Sequence, residues 1–384
     1  MASSPAEIGT LPADLEDTSP EVKRYQRQKL VASISSLVVS LVYLTVAALW
    51  LGPILNRGLE GWIGENPWLR LVVLAFVYAA GLEILSLPFD FWSGFILEHR
   101  YQLSNQTLGR WVWRRIKGYL IGGPLGLALL LGLYSLIWYS GTWWWIWAAA
   151  GWLVVTLVLG QLAPVVILPL FYKVTRLDDP SLLERLRRLA QGTGVAVEGI
   201  YRLHLSAETR KANAALAGLG RTRRVLLGDT LLDQFTPEEI EVVFAHELGH
   251  HVFGHMKKMI VSSVLLTAAG FWVVDQVLRH MAQALGYPRF DDPAALPLLM
   301  FVLTVFGLLL SPAQNALSRF FERQSDRYAL SRTRRPDAYR SAFTKLARMN
   351  KADPDPHPLK VWLFDDHPPI RQRLAMADQM EFGV

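Results

Sequence analysis

Cysteine is absent from the 384-residue chain. That excludes disulfides, thiolate zinc sites and cysteine-nucleophile chemistry together. Charge is scarce as well: only 19% of residues are Asp, Glu, Lys or Arg, and they cluster between long apolar runs. The first thirty residues, MASSPAEIGTLPADLEDTSPEVKRYQRQKL, contain no apolar core, so they do not read as a cleaved signal peptide. Internal repeats and low-complexity tracts are also lacking. The net charge is +6. The basic residues lie mostly beside apolar segments, which points to membrane topology rather than to nucleic acid, and no nucleic-acid partner is expected.

What is present is hydrophobic. Apolar residues make up 52% of the chain, with 14 Trp, more than a soluble domain needs. This composition predicts a polytopic protein of the lipid bilayer with one sizeable soluble portion. A spanning helix needs about 20 mainly apolar residues. Six runs qualify, at roughly 31–53, 68–93, 118–139, 143–171, 259–279 and 296–317. Lys23, Arg24, Arg27 and Lys29 precede the first run, and Arg100, Arg110, Arg114, Arg115 and Lys117 lie between the second and third. YSGT, between the third and fourth, carries no charge. The positive-inside rule therefore places the N-terminus, the 172–258 segment and the C-terminus in the cytoplasm.

The expected organisation is a cytoplasmic tail (1–30), four spans (31–171), a cytoplasmic catalytic segment (172–258), a membrane hairpin (259–322) and a second cytoplasmic segment (323–384). Within 172–258, PSLLERLRRLAQGTG has helical periodicity with Gly192 or Gly194 as its stop. GIYRLHLS alternates as a half-buried strand does, and RRVLLGDTLL is a second strand candidate. In TPEEIEVVFAHELGHH, Thr236 suits an N-cap, Pro237 the first helical position, and Glu239 a capping box. The stretch 353–369 is a proline-punctuated loop.

His246 and His250 are four residues apart, so on that helix they share a face and two imidazoles can reach one ion. Glu247 between them suits a general base. This is the H-E-x-x-H arrangement of zinc peptidases. His251 is rotated about 100° from His250, and His255 lies about half a turn from His246, so neither can join the same metal on an unbroken helix. The helix is expected to run directly into the fifth span. The position six residues after His250 is Met256, so the third ligand must come from elsewhere. In NALSRFFERQSDRYAL, Asn315, Arg319, Glu322 and Asp326 form one helical stripe leaving the sixth span. Glu322 completes a His2Glu set with an open fourth position for one Zn2+ per chain. Asp326 is placed to accept the second ring N–H of a ligand histidine. The competing reading is a salt-bridged helix end, with Arg319 paired to Glu322 or Asp326.

These motifs, with LPLFYK, NAALAG, VLLGDTLL and HPPIRQR in order, resemble the type I CAAX prenyl proteases, integral-membrane zinc metallopeptidases. The resemblance runs from the third span onward. It implies an all-α polytopic membrane protein, barrel-like around an internal chamber, with a small α+β zincin-like cytoplasmic portion. It also implies His246, His250 and Glu322 as zinc ligands and Glu247 as base. His367 and Arg373, in the closing motif, resemble residues that orient substrate or stabilise the transition state. The characteristic substrates are prenylated or membrane-associated peptides and proteins. Six spans where the eukaryotic members have seven, and a shorter chain, are departures from them; the composition looks bacterial, and a bacterial inner-membrane homologue is expected. The alternatives are a membrane-protein quality-control protease of the same clan, and a scaffold or transporter with a vestigial metal site.

Asn213, Ala214 and Gly218, in NAALAG, are candidate substrate-binding residues. With the strand candidate at 224–228 they could pair with an extended peptide backbone. A plain turn is the alternative for Asn213. Glu83 and Asp275 lie inside spans and are functional candidates by position alone; lining a wet chamber is the blander role. His204 reads as structural, and WWWIW at 143–147 as an interfacial anchor.

Overall fold

In the computed structural model, residues 20–193, 199–218, 224–287 and 289–380 are described. Among them, six helices are long and apolar enough to cross a membrane: Pro20–Ile63, Pro67–Arg100, Leu108–Tyr139, Gly141–Phe171, His255–Ala284 and Pro293–Thr333. All six expected runs lie within them. Several helices overrun the apolar stretches because polar residues outside them cap or continue them. Asn66 caps the second, accepting from the N–H of Trp68 and Leu69 just before Pro67, and Thr107 caps the third. The first helix begins at Pro20, inside the stretch read as a tail, and residues 1–19 of that stretch lie outside the described residues.

Packed residues of this half include Leu71, Leu74, Tyr78, Tyr134, Trp144, Val274 and Leu299. Phe76, Ile84 and Leu309 face outward at 75%, 68% and 74% exposure, which only a hydrocarbon surrounding makes favourable. The intramembrane carboxylates are neutralised locally. Glu83 and Asp90 both accept from Arg115, while Asp275 accepts from Trp144 Nε1 (2.7 Å) and Arg279. Trp144 is thus fully buried and not an anchor, whereas Trp143 and Trp147 are exposed.

The segment after the fourth span folds as α+β. Strands β1 (Val174–Arg176), β2 (Ile200–Leu203), β3 (Ala214–Ala217) and β4 (Arg224–Gly228) form one sheet in the order β1-β2-β4-β3. β2 and β4 are parallel; the other pairs are antiparallel. β4 is therefore interior, and its pairing capacity is spent on β2 and β3. The expectation that 224–228 pairs with a peptide is corrected: the edge strands are β1 and β3, and NAALAG supplies β3. DTLL, included in that strand candidate, is instead a helical turn, Asp229–Leu232.

Helix α1 here denotes the motif helix, Pro237–Val252, and α2 the fifth span, His255–Ala284; α3 is the long helix Leu296–Thr333. The capping box at α1 forms as expected, Thr236 and Glu239 each bonding the other's backbone N–H. α1 is the axis of a second core, with Val242, Phe244, Ala245 and Leu248 buried against residues such as Leu227, Tyr339 and Phe343. It does not run into the fifth span. Gly254, in the left-handed conformation at φ 63°, breaks the chain between α1 and α2.

Candidate metal centre

α1 and α3 lie side by side, and their closeness builds the site. His246 Nε2 and His250 Nε2 stand 3.2 Å apart. Glu322, on α3, places Oε2 3.3 Å from His246 Nε2 and Oε1 3.1 Å from His250 Nε2. A tetrahedral zinc with bonds of about 2.05 Å needs ligand atoms about 3.3 Å apart. The spacing fits. Glu322 Oε2 is buried with no hydrogen-bond partner among the described residues, an arrangement that costs free energy unless a cation completes it.

Around these three lies a charged frame. His246 Nδ1 meets Asp326 Oδ1 at 2.9 Å, and Asp326 is fully buried. Arg373 donates to both Asp326 oxygens, Nε to Oδ2 at 2.9 Å and Nη2 to Oδ1 at 2.6 Å, with its guanidinium over the Phe343 ring. Burial alone would lower the His246 pKa, but the bond to Asp326 and its charge reverse this and push it up to about 9. Glu247 is held by the N–H of Leu216, on β3, to its Oε2 at 3.1 Å. Burial pushes its carboxyl above the ordinary range, against the pull of the two histidines.

His367 lies in the loop before the closing helix Ile370–Gln379, its Nε2 3.5 Å from Glu322 Oε1 and its Nδ1 2.8 Å from Asp366. A cavity of about 400 Å³ joins His246, Glu247, Glu322, Asn213, Ala214 and His367. Gly218 ends β3 at φ 92° and does not line it. Asn315 and Arg319 sit further out than the sequence suggests. Asn315 donates to Leu363 O (2.8 Å) and Arg319 to Val361 O (2.7 Å), so they secure the segment leading to His367 rather than touch the histidines. Arg319 pairs with neither Glu322 nor Asp326; Arg373 takes that place. His204 bonds Thr175, away from the site, as a structural histidine would.

Two features escaped the sequence reading. His255 stands between His250 and Gln324 and contacts both, which the break at Gly254 permits. Asn350 brackets Ala212, accepting from its N–H (3.1 Å) and donating to its carbonyl (3.2 Å), and so fixes the approach to β3. The glycine after Phe253 was the available signal for the first, since a left-handed glycine commonly ends a helix. Nothing local marks the second.

An H-E-x-x-H helix facing a carboxylate on a neighbouring membrane helix defines a membrane-embedded zinc metalloendopeptidase. Residues 176–381 match the model of peptidase family M48, and residues 11–173 match the CAAX prenyl protease N-terminal region of five membrane helices. The chain belongs to peptidase family M48, whose members are zinc metalloproteases. Among the described residues, four candidate spans lie before residue 174, against five in that description. The chain is similar to the uncharacterized metalloprotease YhfN of Bacillus subtilis, 29% identical over 338 residues, covering 85% of this chain and 78% of that one. It is 30% identical over 300 residues to the CAAX prenyl protease 1 homolog of Arabidopsis thaliana, covering 77% and 70%. Its fold is similar to the crystal structure of S. mikatae Ste24p, with a TM-score of 0.81 at 24% identity, covering 97% of this chain and 93% of that one. These matches favour neither the quality-control reading nor the non-catalytic one.

Proposed function

We propose that His246, His250 and Glu322 hold the zinc, and that this centre cleaves prenylated or membrane-associated peptides near their C-termini at the cytoplasmic face of a bacterial inner membrane. The observation that carries the metal assignment is the pair of histidine nitrogens 3.2 Å apart, each with one Glu322 oxygen at 3.3 or 3.1 Å, the buried Oε2 having no hydrogen-bond partner among the described residues. When bound, zinc supplies Lewis-acid polarisation of the scissile carbonyl and lowers the pKa of water. Glu247 takes a proton from the attacking water and delivers it to the leaving amine. The open edge of β3 pairs with an extended peptide, with Asn213 and Ala214 at the cavity wall. His367 reaches the cavity with Nε2 and donates to the oxygen that gains charge. Arg373 has both forward donors on Asp326, so it acts as a positioning residue through Asp326 and His246. The basic residues before the first span and between the second and third support the cytoplasmic orientation. The names of the plant and yeast relatives, CAAX prenyl protease 1, support the substrate class.

The test is cleavage of a farnesylated CAAX-type peptide and its unprenylated twin by the purified chain in detergent. Chelator-sensitive, Glu247-dependent cleavage favouring the farnesylated peptide is expected. Equal cleavage of both would refute lipid recognition, and the substrate would then be peptides at large.

A further inference from the structure

Each imidazole that binds a metal through one nitrogen must carry its proton on the other, and what that second nitrogen meets decides how firmly the ring is held. For His246 the partner is Asp326. For His250 it is His255. Gly254 turns the chain so that His255, the first residue of α2, folds back onto α1 and is buried. Its Nδ1 stands 3.2 Å from His250 Nδ1, and its Nε2 stands 2.9 Å from Gln324 Oε1. The ring is clamped by stacking on Phe321, 4.3 Å between centroids at 16°.

The proton positions follow from the acceptor at the end of the row. Gln324 Oε1 can only accept, so His255 Nε2 carries a hydrogen and donates it. A neutral His255 then presents a lone pair at Nδ1. Only a hydrogen on His250 Nδ1 can satisfy that lone pair. His250 Nε2, facing Glu322 and His246, is left as the unprotonated nitrogen. Every bond in the row runs one way, from the metal site toward Gln324.

We propose that His255 and Gln324 are positioning residues that fix the tautomer and ring orientation of His250 for zinc. This rests on the reading of His250 as a ligand. The two histidine ligands are thereby backed differently: His246 by a carboxylate that draws its proton strongly, His250 by a neutral chain that fixes direction without adding charge.

The test is the zinc dissociation constant of the full chain in detergent, measured by competition with a chromophoric chelator, together with the visible spectrum of the cobalt-substituted protein. His255→Phe keeps the ring that stacks on Phe321 and removes the acceptor. It should weaken zinc binding about 10- to 100-fold and alter the cobalt spectrum, while the unfolding temperature of the zinc-free chain stays put. His255→Asn places an amide oxygen near the former Nδ1 and should recover much of the loss. Gln324→Leu should weaken binding less, and should add nothing in the His255→Phe background. Wild-type affinity in His255→Phe, no rescue by Asn, or strictly additive effects would each overturn the proposal. Should the Phe variant not fold, His255→Asn against His255→Ala makes the same comparison. His250→Ala separates the two layers: retained zinc there would refute the ligand reading itself, whereas lost zinc there with full affinity in His255→Phe refutes only the positioning role.

Discussion

A Cβ at Gly249 would stand 3.0 Å from the Cα of Ser325. Gly249 sits on α1 one residue before His250, and Ser325 sits on α3 between Glu322 and Asp326. The missing side chain is what lets the two helices approach until one carboxylate reaches both histidines. Gly249→Ala should push α3 away by a few tenths of an ångström. The cost to stability is about 1–3 kcal/mol, as for overpacking elsewhere. The Gly249→Ala chain is expected to bind zinc more weakly although no ligand has changed. Chelator competition on Gly249→Ala measures it, and an affinity equal to wild type would show the contact to be incidental.

The ligand set makes a sharper prediction. His246→Ala and Glu322→Ala should lose zinc, whereas Glu247→Gln should keep it and lose activity by about 10²- to 10⁴-fold, the usual range for a lost acid–base group. Metal analysis of the three purified variants decides between roles. Full occupancy in Glu322→Ala would remove Glu322 from the site.

Much of this centre was legible in the sequence because it depends on helical spacing alone. His246, Glu247 and His250 share one turn of a capped helix, and Glu322 and Asp326 share one stripe of another, so period and motif placed them. What could not be read was anything set by a break or by tertiary packing. The expected continuous helix through residue 255 failed at Gly254; His255 stays out of the ligand trio, as expected, but the break brings it against His250. Arg373 was legible as a site residue, but its commitment to Asp326 depends on how the closing helix docks. The strand at 224–228 was found, yet its interior position is a property of sheet order, which no local pattern encodes.

The Asp326–Arg373 pair should separate stability from metal binding. Both side chains are buried, so removing one partner leaves the other charge stranded, at a cost of about 3–5 kcal/mol. Arg373→Met should therefore lower the unfolding temperature markedly. Asp326→Asn removes the carboxylate that fixes His246 and should weaken zinc about 10- to 100-fold. Thermal unfolding of the zinc-free chains and zinc competition, run side by side on both variants, give the comparison. Equal zinc affinities in Asp326→Asn and wild type would sink the assignment.

Asp229 supplies the pH dependence. Its carboxylate ends β4 and accepts from Ser206 Oγ (2.6 Å) and from the N–H groups of Leu205, Ser206 and Thr230. Burial alone would raise its pKa, but these donors outweigh burial and hold it below the usual 3.8. The folded pKa is lowered, so the stabilisation is fully present above the unfolded value and is lost as pH falls through the folded one. The loss therefore begins below about pH 4, where the unfolded chain first binds the proton. Thr230, beside it, bonds the carbonyl of Lys211, and Gly228 bonds that of Asn213, so the turn holds the entry to the open strand β3. Asp229→Asn should flatten the acid limb of the stability–pH curve and, at neutral pH, raise KM for an extended peptide more than it lowers kcat. Unfolding measured from pH 3 to pH 7 on both chains tests the first part; an unchanged acid limb would show that Asp229 does not carry it.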